Sequence, residues 1–278
     1  MGRTTGATSQ GAGPVVLFGS GEMARSARKV HDEVLGRFEK PVRVAILPTP
    51  AAFQPNADAV AAKLAEFVSH SLVNHRPEIV IVDARRRGGP GDPDKPEVAA
   101  ALDGARYVFA GPGSPTFMVR QLAGTRTWAA LQRAWQTGAA IALASAAALA
   151  IGAHVLPVYE IYKAGDDLGW RPGLDLFGPL GLELAIVPHW NNREGGAGLD
   201  TSHCFMGRDR FERLRKLLPP TAVVVGLDEH TSCIVDVTGE TVDVRGQGAM
   251  TVLRRGKETV VPARERAPLD LLRPARRS

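Results

Sequence analysis

Four short stretches of the chain hold side chains that could do chemistry. Ser145 stands between an apolar run, AAIALA (139–144), and a small-residue stretch, AAALA (146–150). Strand, sharp turn and helix is the arrangement that lifts a serine hydroxyl above a sheet as a nucleophile, and it needs small neighbours because the backbone passes close to itself there. The same position suits a serine that caps a helix N-terminus. Leu143 and Ala147 occupy the places of the two glycines in the usual G-x-S-x-G elbow. A Gly-rich turn, FAGPGSPTF (109–117), offers backbone N–H groups, and those of Gly113 or Ser114 together with Ala146 could hold a developing oxyanion. The segment 187–214 gathers His189, Asn191, Asn192, Glu194, Asp200, His203 and Cys204, and GLDEHTS (226–232) adds Asp228, Glu229 and His230. A serine, an imidazole, a carboxylate to orient the imidazole and paired amides are the parts of an acyl-transfer site.

The elements that must position these groups follow from the apolar pattern. VVLFG (15–19), VRVAILPT (42–49), EIVIVDA (78–84), ARYVFAG (105–111) and AAIALAS (139–145) read as buried strands, each ended by turn residues. Residues 56–70, 115–122 and 128–136 have helical spacing. Their alternation predicts an α/β fold, a mostly parallel central sheet flanked by helices. Beyond Ser145, HVLPVYEIY (154–162), ELAIVPHW (183–190) and TAVVVGL (221–227) have strand character, a helix starts near Arg208 and stops at Pro219, and residues 233–256 alternate as antiparallel strands. All four chemical features follow a strand, and sites in open α/β sheets lie at the carboxyl ends of strands. The expected division is a flexible leader at 1–13, one α/β domain at 14–256 and a basic tail at 257–278.

Composition narrows the classes further. In 278 residues, 44% are hydrophobic and 23% charged, which is globular rather than disordered. The net charge of +5 resides in residues 254–278, where eight Lys and Arg face three acids, so the body is neutral and no basic face for nucleic acid is implied. The two cysteines form no disulfide framework or C-x-x-C pair, and no apolar run is long enough to span a membrane. A cytoplasmic protein is expected.

Taken together, the segments resemble the cyanophycinase and dipeptidase E family of serine peptidases, whose fold is similar to the class I glutamine amidotransferase domain. LASAAA (143–148) is the counterpart of the family's nucleophile turn, GPGSPT of its oxyanion turn, FMGRDRFERL (205–214) of its arginine-rich helix, and GLDEHT of its G-I-D-E-x-T. The resemblance implies Ser145 as nucleophile, Glu229 as the acid behind the histidine, and Gly113, Ser114 and Ala146 as oxyanion donors. With the arginines in register the family's histidine falls on Cys204, so His203, one position early, is the first choice of base and His189 the second. Asn191, Asn192, Arg193 and Arg208 are the expected substrate-binding residues. The resemblance implies a small peptide or isopeptide substrate, aspartyl-containing in the family, with no cofactor and no metal. A homodimer is carried as an expectation. The alternative is an amidotransferase-like binding module that has lost the chemistry. A metal site on His189, His203, Cys204 and Asp200 is a third reading, but its histidine spacing of 14 matches no short-range ligand motif.

Overall fold

The computed structural model describes residues 11–274. Residues 1–10 of the expected leader and 275–278 of the expected tail lie outside them. Five strands, β1 (Val15–Phe18), β2 (Arg43–Leu47), β3 (Glu78–Ile81), β4 (Tyr107–Ala110) and β5 (Ala140–Ala144), run parallel in the order β1-β5-β4-β2-β3. Their apolar residues point alternately to two faces. Val15 and Leu17 join Trp128, Leu131 and Trp135 in one core, while Val16 and Phe18 join Val30, Val34, Leu64 and Val68 in another. Those partners come from helices α1 (Arg25–Leu35) and α2 (Ala57–Ser71) on one side, and on the other from α5 (Arg126–Gln136), which follows α3 (Pro96–Ala100) and α4 (Pro115–Leu122). Both faces are therefore covered, as a parallel sheet requires.

After β5 the chain forms α6 (Ala146–Ala150), a two-residue strand β6 (His154–Val155), α7 (Val158–Tyr162), β7 (Arg171–Pro172) and β8 (Leu184–Val187). The strand expected over 154–162 is thus a strand only at its start. Pro157 interrupts it, and Val158 and Ile161, three apart, bury one face of a helix. A short turn α8 (Ser202–Phe205) and helix α9 (Gly207–Arg215) lead to β9 (Val223–Leu227). Strands β8 and β9 do not join the large sheet. They pair parallel to each other in a second sheet, with β12 (Ala249–Arg254) and β13 (Lys257–Pro262) antiparallel beyond β9. The large sheet is completed on the other side of β1 by β10 (Thr231–Asp236), β11 (Thr241–Gly246) and β14 (Arg266–Pro268), all antiparallel.

The expected tail is corrected here. β13 and β14 are hydrogen-bonded strands, and Val261, Ala267, Leu269 and Leu272 are buried in the main core. Both strands lie at sheet edges, where one face and one margin meet water, so charged residues dilute their apolar signal. The three residues of the leader that are described are also held. The Gly13 N–H donates to the Trp135 carbonyl at 2.9 Å, and the Trp135 indole N–H donates to the Gly13 carbonyl at 2.7 Å. No helix among the described residues is long and apolar enough to cross a membrane.

One buried polar group braces the region beneath the site. His31 of α1 is fully buried among Phe18, Phe67 and Phe109. Its Nε2–H donates to the Glu22 carbonyl at 2.8 Å, so Nδ1 accepts from the Tyr107 hydroxyl at 2.6 Å. Burial pushes its pKa down to about 4 from 6.5. The stability contributed by the neutral ring is complete above about pH 6.5 and is lost as pH falls toward 4, because the unfolded chain takes up the proton first. Urea unfolding at pH 7.5 and 4.5 should show wild type losing about 2–3 kcal/mol more than His31→Phe, which starts lower but lacks this titration. An equal loss in both proteins would exclude this role.

Candidate active site

Ser145 leaves β5 with φ 50° and ψ −113°, a conformation rare for a residue with a side chain, and α6 begins at the next residue. Such strain costs about 1–3 kcal/mol and persists only where the surroundings enforce it. Here they do. Ala144, Ala146, Ala147 and Ala148 are all buried, and the Ser145 N–H donates to the Phe18 carbonyl at 3.3 Å. Leu143 and Ala147, the departures from the glycine pattern, point into the core. Only Ser145 needs the strained conformation, so neither position requires glycine. The Ser145 side chain caps no helix.

Its Oγ lies 2.9 Å from Nε2 of His189. His189 follows β8 by two residues, has φ 52°, and its N–H donates to the Gly19 carbonyl at 3.1 Å. Its Nδ1–H donates to Oε1 of Glu229 at 3.0 Å, which leaves the Nε2 lone pair facing the serine hydroxyl. Glu229 follows β9 and is fixed from two sides. Asn192 Nδ2 donates to the same carboxylate oxygen at 2.9 Å, and the Glu229 N–H donates to Asn191 Oδ1 at 2.8 Å. Burial raises the Glu229 pKa, but the hydrogen bonds from Asn192 and His189 and the nearby imidazoles outweigh it, and the carboxyl lies below its ordinary range. It is therefore ionised behind the histidine at neutral pH. A second acid, Glu22, is buried in the turn after β1, and burial pushes its pKa up despite its own backbone N–H and the proximity of His189.

His203, the first choice of base, does not reach Ser145. In α8, residues 203–205 are all left-handed, with φ of 54°, 58° and 68°. This turn carries the His203 ring away from Ser145, to stack on Phe211 at 4.7 Å and meet the Trp190 edge at 4.2 Å, while its Nδ1 pairs with Ser202 Oγ. The turn itself has a role, since the His203 and Cys204 N–H groups donate to the carbonyls of Trp190 and His189 and fix the backbone that presents the imidazole. Cys204 lines the site, but burial pushes its thiol up to about 12, so it is no rival nucleophile. Among the described residues no three His, Cys, Asp or Glu side chains gather to hold a metal.

Of the three expected oxyanion donors, two remain. The N–H groups of Gly113 and Ala146 have no acceptor among the described residues, and both residues line the cavity at Ser145. Ser114 is corrected. Its N–H donates to the Pro50 carbonyl at 2.8 Å and its hydroxyl caps α4 at Phe117 N. The four expected substrate ligands are corrected too. Asn191 and Asn192 hold Glu229, and neither Arg193 nor Arg208 lines the cavity. That cavity, about 250 Å³, is walled by Leu149, Val158, Tyr159, Tyr162 and Phe205, with Lys163 and Glu194 as its charged groups. Tyr159, Tyr162 and Lys163 escaped the sequence reading because α7 looked like a strand.

No family model matches the sequence, and no curated protein matches it either. Solved structures do. A peptidase from an acI-B1 Actinobacterium superposes with a TM-score of 0.72 at 19% identity, covering 92% of this chain and 97% of that one. A putative Peptidase E protein from Listeria monocytogenes EGD-e superposes with a TM-score of 0.55 at 13% identity, covering 85% of this chain and all of that one. At these identities the likeness shows the fold: a mixed α/β chain with a large central sheet flanked by helices, shared nearly end to end with solved proteins named as peptidases.

Proposed function

We propose that this protein is a serine-type hydrolase that cleaves a small peptide or isopeptide by acyl transfer. The observation that carries the reading is the hydrogen-bonded series Ser145–His189–Glu229, with links of 2.9 and 3.0 Å, starting from a strained strand-to-helix turn. Ser145 Oγ attacks the carbonyl carbon while His189 Nε2 takes its proton, and Glu229 stabilises the imidazolium through Nδ1–H. The amides of Gly113 and Ala146 hold the negative charge that develops on the carbonyl oxygen. His189 then returns the proton to the leaving amine, water attacks the acyl-serine with His189 again as base, and Ser145 is released. The names of the two structural neighbours favour a peptide bond as the target, and the small cavity favours a short substrate.

Intact-mass analysis after exposure to a fluorophosphonate, which phosphonylates activated serines, tests the reading without a known substrate. Wild type is expected to gain one adduct that Ser145→Ala does not. Folded wild type that stays unmodified would mean that the serine is not activated, and the binding-module alternative would take its place.

A further inference from the structure

The Ser145 cavity opens onto one side of an apolar cluster. Leu149, Val158 and Cys204 are buried members of that cluster, and Tyr162 and Phe205 pack against it with ring centroids 5.5 Å apart. We propose that this wall selects an apolar side chain, aromatic or branched, on the residue that carries the reacting carbonyl, in place of the aspartyl residue that the family resemblance implies. The inference rests on the hydrolase reading and adds its substrate class.

Position, room and charge all point to such an occupant. Gly113 and Ala146 line the same cavity as Ser145, so a carbonyl held by their amides lies inside it and the side chain on the adjoining carbon meets the wall. The cavity's volume of about 250 Å³ exceeds the roughly 150 Å³ in which an apolar protein cavity holds benzene, so a phenyl group fits. Charge decides against an acid. Apart from His189, the charged side chains that line the cavity are Lys163 and Glu194, one of each sign, and both are exposed to solvent. The Lys163 ammonium lies over the Tyr162 ring, 5.1 Å from its centroid. None of the arginines of α9 lines the cavity. Arg210 turns back on its own chain, where Nε–H donates to the Met206 carbonyl at 2.7 Å and a terminal N–H to the Phe205 carbonyl at 3.1 Å. A carboxylate seated against the wall would therefore lose water with no buried cation to replace it, and an ammonium would meet no buried carboxylate among the lining residues. A phenyl or branched side chain gains there by burial.

The test uses diphenyl phosphonate analogues of phenylalanine, leucine, aspartate and lysine, each with a free and with an acetylated amine. Intact-mass analysis of the full-length protein over time reads the labelling rate. Phosphorus takes the place of the reacting carbonyl carbon in these probes. Ser145 Oγ forms a bond to phosphorus, His189 accepts the hydroxyl proton, and the phenoxide that leaves takes it up to become phenol. The phenylalanine and leucine probes are expected to label at least about a hundredfold faster than the aspartate and lysine probes. Tyr162→Ala should lower the phenylalanine-to-aspartate ratio about tenfold or more. Val158→Thr, which nearly keeps the side chain's shape and so guards against misfolding, should lower it too by placing a hydroxyl in the wall. A fluorophosphonate that lacks an amino-acid side chain reports the reacting groups alone in each variant. Three results overturn the inference and keep the hydrolase when that fluorophosphonate labels Ser145: an aspartate or lysine probe that reacts as fast as the apolar ones, no reaction with any amino-acid probe, or a ratio that neither variant lowers. A serine that no probe labels overturns the hydrolase reading, and this inference with it.

Discussion

His189→Ala is expected to slow fluorophosphonate labelling of Ser145 by about four orders of magnitude, and His203→Ala to leave it nearly unchanged. The two histidines are 14 residues apart in one segment, and their environments predict opposite outcomes. His189 touches Ser145 Oγ through one ring nitrogen and Glu229 through the other, so its loss removes the proton acceptor and strands an ionised carboxylate. His203 fills space between Trp190 and Phe211. Truncating it should cost about 1–3 kcal/mol of stability, which a thermal melt reads, without touching the reacting groups. Burial depresses its pKa, partly countered by Asp200, so at neutral pH it is an uncharged packing group. The reverse result, with His203→Ala silent and His189→Ala labelled at the wild-type rate, would move the base to the left-handed turn and require the 203–205 backbone to rearrange.

Gly113→Ala should be the most damaging substitution outside the three-residue relay. Gly113 has φ 152°, and a Cβ there would lie 2.0 Å from the Pro50 carbonyl oxygen, a backbone atom that cannot step aside. Either the 109–117 turn or the segment at Pro50 must shift, and the Gly113 N–H moves off the oxyanion position. Loss of one such donor costs about 10²–10³ in rate. The backbone conflict adds a stability loss of about 1–3 kcal/mol. The measurement is labelling rate together with the unfolding midpoint. A variant that labels normally would remove Gly113 from the oxyanion hole, whatever its melting temperature.

Much of the architecture is legible in the chain, and the reasons differ by element. Strands β1, β2, β4 and β5 are buried on both faces and read as unbroken apolar runs followed by Gly, Pro or Ser, whereas β3, read as buried, lies at the sheet edge with Glu78 and Ile81 exposed. Ser145 is visible because a lone hydroxyl stands between a buried strand and a run of alanines. Glu229 is visible because GLDEHT leaves a strand directly. Register with the arginines of α9 points to His203, whereas position relative to a strand points to His189, the histidine that meets Ser145. His189 stands two residues past β8, where side chains reach the carboxyl rim of a sheet, and that was the stronger signal. The direction of His203 could not be read at all, since three successive left-handed residues without a glycine leave no mark in composition. The roles of Asn191 and Asn192 were hidden for another reason. Amides beside a histidine look the same in sequence whether they face a ligand or hold a neighbouring carboxylate.

The relay spans two sheets: the serine leaves β5 of the large sheet, while the histidine and glutamate leave β8 and β9 of the small one. On the proposed mechanism the attacking hydroxyl and the oxyanion amides thus hang on one sheet and the proton-handling pair on the other, while both sheets share the main core. Two contacts near the site tie them together, from the His189 N–H to the Gly19 carbonyl and from the His230 N–H to the Ser20 hydroxyl. On that mechanism, a substitution that displaced only the ends of β8 and β9 would take away the proton acceptor and leave the strained serine beside its two free amides, a seat for a carbonyl compound rather than a cutter of one.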